Sequence, residues 1–244
     1  MDLPETYPLS PPDLIKTVVT VAHFDLMQLK AIVESRPHLV KASWDWGFGD
    51  WETPLGAACH MGRRDIAEYL IARGVPPTLF SSILFGDLAI VQQTLESNPG
   101  LATVAGPHSI SLLAHARMAG KSGQQVLSYL RMRGDADLPK PAGLSDRERS
   151  LICGSYRFVE DSLALVNVTD DVKDYQGNPM YTEPPQLNWA RPNATARPLF
   201  HTGNLKFYPA GVPSTEIGFE KLEKDVVMNI VDGPERRRFS KASG

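Results

Sequence analysis

Between Ser43 and Trp51 the chain reads Ser-Trp-Asp-Trp-Gly-Phe-Gly-Asp-Trp, which places three of its four tryptophans within eight residues. Trp44, Trp46, Phe48 and Trp51 offer much contact area for little loss of conformational freedom, the property that puts Trp at binding hot spots. Asp45 and Asp50 stand among them, and Gly47 and Gly49 permit a tight hairpin tip. A loop of this kind can grip a protein segment or a small molecule. Packed instead over the neighbouring helices or a second domain, the same aromatics would act as glue.

Histidines are the other groups capable of chemistry. The spacing puts His60 and His115 on the first helices of helix pairs, and His23 and His108 near helix ends. His115 falls beside a small interior position and faces a groove. With Asp45, Asp50 or Asp135 as partner it could serve as a general base. If the chain is an enzyme, His115, His60 and Asp50 are its candidate catalytic residues, and the tryptophans with His115 form the candidate ligand site. Against this, no nucleophile elbow, H-E-x-x-H or phosphate loop is present, and a histidine at such a position more often caps a helix or faces solvent. Cys59 and Cys153 belong to no zinc spacing, so neither a metal nor a cofactor is expected. In the C-terminal third His201, Tyr181, Tyr208, Arg191, Arg197 and Trp189 could line the mouth of a small barrel or simply fill it.

The elements that must position these groups change character along the chain. From about Pro11 to Asp137 the apolar residues follow a helical period, grouped as Leu29, Ile32 and Val33; Ile66, Leu70 and Ile71; Ile90, Val91 and Leu95; and Val126, Leu127 and Leu130. Gly62, Gly86 and Gly120 recur at one place in this pattern, with Phe24 in the first copy. Four residues before each lies a small side chain: Thr20, Ala58, Ser82 and Ala116. The phrases Glu34-Ser-Arg-Pro-His-Leu-Val40 and Glu96-Ser-Asn-Pro-Gly-Leu-Ala102 close the first and third helix pairs, whereas Arg73-Gly74 and Arg133-Gly134 close the others. Four helix pairs are expected.

The stretch Thr53-Pro-Leu-Gly-Ala-Ala-Cys-His-Met-Gly62, continuing through Ile66 and Leu70 to Gly74, resembles one complete ankyrin repeat. Gly56 departs from the pattern, standing where that family usually has a histidine that ties the loop to the helix, which implies a looser loop here. The resemblance implies a stacking, binding module without cofactor or metal, with Ser43–Trp51 as its projecting finger.

Residues 138–146 are rich in proline and glycine and read as a linker. Beyond them, short alternating segments at Ser155–Phe158, Leu163–Val168, Leu205–Phe207, Glu216–Phe219 and Val226–Val231 predict six to eight antiparallel strands in a small barrel or sandwich over 147–241. Gly154-Ser-Tyr156, Arg197-Pro-Leu-Phe-His201, Lys206-Phe-Tyr-Pro209 and Ile217-Gly-Phe219 resemble the lipocalin-like β-domain appended to some bacterial β-lactamase-related serine hydrolases and ankyrin proteins.

Composition fits an ordinary globular chain: 244 residues, 42% hydrophobic and 22% charged, with a net charge of −3 that exerts no pull on nucleic acid or anionic membrane. Acids and prolines at the start, and the lack of a long apolar run, lead to the expectation of a cytoplasmic protein without a membrane partner. The expected whole is a two-domain α + β protein, an ankyrin-like α-solenoid over 11–137 and a small β-domain. Its expected function is recognition of a protein segment or small molecule by the concave face and finger. The alternative is an acid–base enzyme, a lyase, isomerase or hydrolase, acting on a small aromatic substrate in a pocket between the domains.

Overall fold

The computed structural model describes residues 10–47, 49–137, 142–158, 165–169, 187–190, 196–223 and 225–242. The chain divides into two compact units, Met1–Leu138 and Pro139–Gly244.

In the first unit, helices come in sequential pairs: α1 (Pro12–Val21) with α2 (Leu26–Ser35), α3 (Pro54–His60) with α4 (Arg64–Ala72), α5 (Leu79–Phe85) with α6 (Leu88–Ser97), and α7 (Leu112–Met118) with α8 (Gln124–Arg133). The first helix of each pair touches that of the next, α1 on α3, α3 on α5 and α5 on α7. Start signals repeat along the series. Thr53, Thr78 and Ser111 each accept a hydrogen bond from the backbone N–H three residues on, at Gly56, Ser81 and Ala114, which fixes the first turn of α3, α5 and α7. The paired phrases that contain Pro37 and Pro99 form equivalent 3-10 turns, Pro37–Lys41 and Pro99–Thr103.

The apolar stripes are buried largely as their period predicts. Leu29, Val33, Ile66, Leu70, Val91, Leu95, Val126, Leu127 and Leu130 are all in the core. Ile32 and Ile71 are only partly buried against it, and Ile90 is 51% exposed, because the buried stripe of α6 is centred on Val91 and Leu95 and leaves its neighbour on the rim.

The recurrent glycines have a measurable reason. Gly62, Gly86 and Gly120 all adopt positive φ, 68°, 78° and 61°. A Cβ on Gly86 would lie 2.1 Å from the Ser122 carbonyl oxygen, and one on Gly62 would lie 2.4 Å from that of Met118. Around Gly120 nothing lies within 4 Å.

The second unit opens with α9 (Asp146–Ile152), a helix the strand-like pattern did not announce, started by a reciprocal cap between Ser145 and Glu148. Among the described residues eight strands follow: β3 (Gly154–Phe158), β4 (Leu165–Thr169), β5 (Asn188–Ala190), β6 (Arg197–Gly203), β7 (Lys206–Pro209), β8 (Thr215–Lys221), β9 (Val226–Asp232) and β10 (Glu235–Lys241). Each pairs antiparallel with the next, and β10 returns to β3, so the sheet is a closed barrel and not a sandwich. Closure removes both sheet edges. Barrel side chains finish α9: Tyr156 donates to the Ile152 carbonyl (2.7 Å) and Lys241 to that of Leu151 (2.6 Å), satisfying acceptors a helix end leaves open. Among the described residues no helix is long and apolar enough to cross a membrane.

A left-handed backbone costs an L residue about 1–2 kcal/mol. Gly120→Ala should therefore lower the unfolding free energy by about that amount, and Gly86→Ala by clearly more, as read in urea with an unchanged m-value. Equal losses in the two variants would show that the Ser122 carbonyl yields freely and that the contact is unimportant.

Candidate functional site

The loop between the first two helix pairs is a short hairpin, β1 (Trp44–Asp45) paired with β2 (Trp51–Glu52), in the register Trp44 opposite Glu52 and Asp45 opposite Trp51. Asp45 builds the tip by accepting from the N–H groups of Gly47 (2.8 Å) and Gly49 (3.2 Å). The finger is not uniform. Trp51 is 61% exposed, whereas Trp44 and Trp46 are half-buried. Phe48, placed with them by the sequence, lies outside the described residues.

What the hairpin delivers inward is Glu52, a side chain the sequence did not single out. Its carboxylate is wholly buried and is met from four sides. Trp46 Nε1 donates to Oε2 (2.7 Å), His60 Nε2 lies 2.8 Å from Oε1, and the Nε2 atoms of His23 and His108 lie 3.4 and 3.5 Å from Oε2. The three imidazoles come from separate places. His23 follows α1, His60 ends α3, and His108 sits in the 3-10 turn Pro107–Ser109 that precedes α7. Stacking of the helix pairs brings these places together, so residues 37 or more positions apart in sequence meet with rings 4.9 to 5.6 Å apart.

Two of the rings are held from behind. His23 Nδ1 lies 3.0 Å from both the Val19 and Thr20 carbonyl oxygens. His108 is clamped twice by Asp50, which accepts from its backbone N–H (2.9 Å) and its Nδ1 (2.8 Å). The clamp restrains an unfavourable backbone, because His108 and Ser109 are consecutive non-glycine residues at φ 60° and 59°. Such conformations cost about 1–3 kcal/mol each and persist where surrounding contacts over-determine them.

Electrostatics follow from this geometry. Burial alone would push the Glu52 carboxyl up, but hydrogen bonds from His108 and His60 and the charges of His23 and His108 hold it well below the usual range. Burial lowers His108 too, yet its bonds to Asp50 and Glu52 and their charges raise it to about 9, so it is a cation at neutral pH. For His23 burial prevails and the value falls. The lone-pair atoms of His23, Glu52, His60 and His108 lie within 4.8 Å of one another, a donor set capable of holding a metal ion.

Among the residues proposed for catalysis, His60 and Asp50 join this cluster, but Asp50 serves His108 and not His115. His115 is buried beside it, its ring 6.5 Å from that of His60 and stacked on Phe80 at 4.5 Å. Its Nδ1 bonds the Ser111 carbonyl (2.9 Å), and its Nε2 has no partner among the described residues. Burial pushes it down to about 4, so it is neutral near pH 7, and no carboxylate is bonded to it to make it a base. Asp135 pairs with Arg133 and Asp45 with the hairpin tip. The looseness that Gly56 implied is offset by Glu52 and Asp50, which tie the loop to three histidines.

In the barrel, the residues expected at its mouth divide between two faces. His201 stacks on Phe207 at 4.7 Å, with Nδ1 3.1 Å from the Ala142 and Gly143 carbonyls, while Tyr208 stacks on Phe200 on the other side of the sheet. Arg197 is buried and donates to the Ala210 carbonyl (2.8 Å). Trp189, Tyr156, Phe207 and Phe219 are buried, and the last three pack edge-on around Phe219. Tyr181 and Arg191 lie outside the described residues.

Comparison with protein-family models, with curated proteins and with solved structures finds no match. The chemistry of the cluster itself is what speaks for a function.

His115 makes a titration test of the buried network possible. Its folded value of about 4 lies below its ordinary 6.5, so between those limits the unfolded chain binds the extra proton and stability falls as pH falls. One such proton gives a slope of at most about 1.4 kcal/mol per pH unit. His115→Gln should flatten the stability–pH curve between pH 6.5 and 4 relative to the parent. His23 contributes in the same sense to both proteins and cancels in the difference. Parallel curves would mean that His115 is not buried neutral.

Proposed function

We propose that the helical unit is a binding module of the ankyrin type whose binding centre is the cluster beneath the hairpin, not the exposed tip of the finger. The repeat reading is supported by the Thr53–Gly74 phrase, by the series of helix pairs with matching caps, and by left-handed glycines at 62, 86 and 120. One observation carries the location: three imidazoles and a wholly buried carboxylate, from four segments, converge on one point. Each of these groups offers a lone pair, His108 once it gives up its proton, so the fitting ligand is small and electron-poor, a cation or Lewis acid. Trp46 covers the point and would report its occupancy. The barrel, read as a lipocalin-like β-domain, has aromatic side chains packed in its own interior and, among the described residues, supplies no comparable centre.

The enzyme reading has one feature on its side, the Asp50–His108 pair, in which a carboxylate orients an imidazole. A histidine raised to about 9 is a proton donor at neutral pH and a poor base, which makes this pair weaker support than the converging donors.

Tryptophan emission would be followed while the full chain is titrated with Zn²⁺, Mg²⁺, guanidinium and tetramethylammonium. At least one probe should change the emission. The response should vanish in Trp46→Phe and Glu52→Gln and survive in Trp51→Ala. Dependence on Trp51 with indifference to Glu52 would move the site to the finger tip and point to a protein segment. No response to any probe would remove the centre altogether.

A further inference from the structure

Resting on the binding centre just described, the geometry points to a mononuclear site for a divalent transition-metal ion, bound by Nε2 of His23, His60 and His108 and by the carboxylate of Glu52.

Spacing is the first support. With metal–nitrogen and metal–oxygen bonds of about 2.0–2.2 Å, the ligand atoms of a tetrahedral site stand about 3.3–3.5 Å apart. Glu52 Oε2 lies 3.4 Å from His23 Nε2 and 3.5 Å from His108 Nε2, and the whole set falls within 4.8 Å. His60, at 2.8 Å from Oε1, needs only to exchange its contact with the carboxylate for one with the ion.

The shell behind the ligands is the second. A metal-bound imidazole is regularly fixed through its other nitrogen by a carbonyl or carboxylate, which sets the ring's orientation and leaves the inward nitrogen free to coordinate. His23 has the Val19 and Thr20 carbonyls in that role and His108 has Asp50, so in both rings Nε2 is the atom turned to the centre. Trp46 occupies a second lone pair of Glu52 Oε2 without competing for the first.

Charge and donor type select the ion. Glu52 and Asp50 bring two negative charges, which a divalent cation neutralises once His108 gives up its proton. Among the described residues Glu52 meets imidazoles and an indole, with no lysine or arginine. Three nitrogen donors suit zinc and its first-row neighbours, whereas calcium and magnesium take oxygen. His108 reaches the centre from the turn before α7, where it and Ser109 hold left-handed backbone.

The test uses the full chain freed of any histidine tag, stripped with chelator, then dialysed with Zn²⁺ or Co²⁺. Elemental analysis should find one ion per chain, and Co²⁺ should give the visible bands of a low-coordinate nitrogen–oxygen site. Mg²⁺ and Ca²⁺ should not displace it. His23→Gln, which alters the ligand at a helix end, should lose the ion while keeping its far-ultraviolet circular dichroism. Asp50→Asn, with all four ligands intact, should weaken affinity about 10–100-fold. His201→Gln in the barrel should bind like the parent. Substoichiometric metal, or one ion retained equally by His23→Gln and Glu52→Gln, overturns the assignment. If guanidinium or tetramethylammonium shifts Trp46 emission while Zn²⁺ does not bind, the metal is wrong and the centre stands. If nothing binds, both fall.

Discussion

Taking an ionised carboxylate out of water carries a penalty of several kcal/mol, recovered only with close opposite charge and satisfied lone pairs. Glu52 is in that position, and the helical unit is arranged around its needs. Its two oxygens are matched to Trp46, His60, His23 and His108, drawn from the hairpin and from three of the four first helices or their flanking turns. Removing any one partner leaves the others facing an under-compensated charge, so the network ties together elements from three helix pairs. The cluster thus couples helix pairs that a repeat architecture would let behave as near-independent neighbours.

The same constraint explains the strained turn at His108. A turn that simply joined α6 to α7 would have no reason to place two consecutive non-glycine residues in the left-handed region. Asp50, itself buried, grips both the backbone and the ring of His108 and outweighs that cost locally. Because Asp50 and Glu52 flank Trp51 on one strand of the hairpin, the element that supplies the buried carboxylate also supplies the clamp for its distant cation. Hairpin and turn hold each other in place.

Much of the fold was legible because it rests on local signals. The period of apolar residues located the helices, and the change to alternation announced strands, which close into a barrel. Helix α9 was missed because seven residues between a proline-rich stretch and a strand carry little periodicity. The site was legible only in its parts. The tryptophan cluster drew attention to the loop that carries Glu52, and His60 and Asp50 were among the residues named, but Glu52, His23 and His108 were not joined to them. No linear spacing encodes a contact between helix ends in different pairs. The available signal was compositional: five of the six histidines fall in the first 137 residues, with Glu52 next to the helix cap at Thr53.

Register within the hairpin shows which force decided the site. Successive side chains of a strand face opposite ways, so Trp51 and Glu52 cannot both point inward. Hydrophobicity alone would bury Trp51, whose side chain is among the largest apolar surfaces in the chain, and would leave Glu52 in water. A slip of one residue would accomplish that exchange. The observed pairing, Trp44 with Glu52 and Asp45 with Trp51, does the reverse, leaving Trp51 61% exposed and Glu52 1% exposed. The attraction of three imidazoles and an indole N–H for one carboxylate therefore exceeds the gain from burying a tryptophan. A hairpin built only to glue helices together would have settled in the other register.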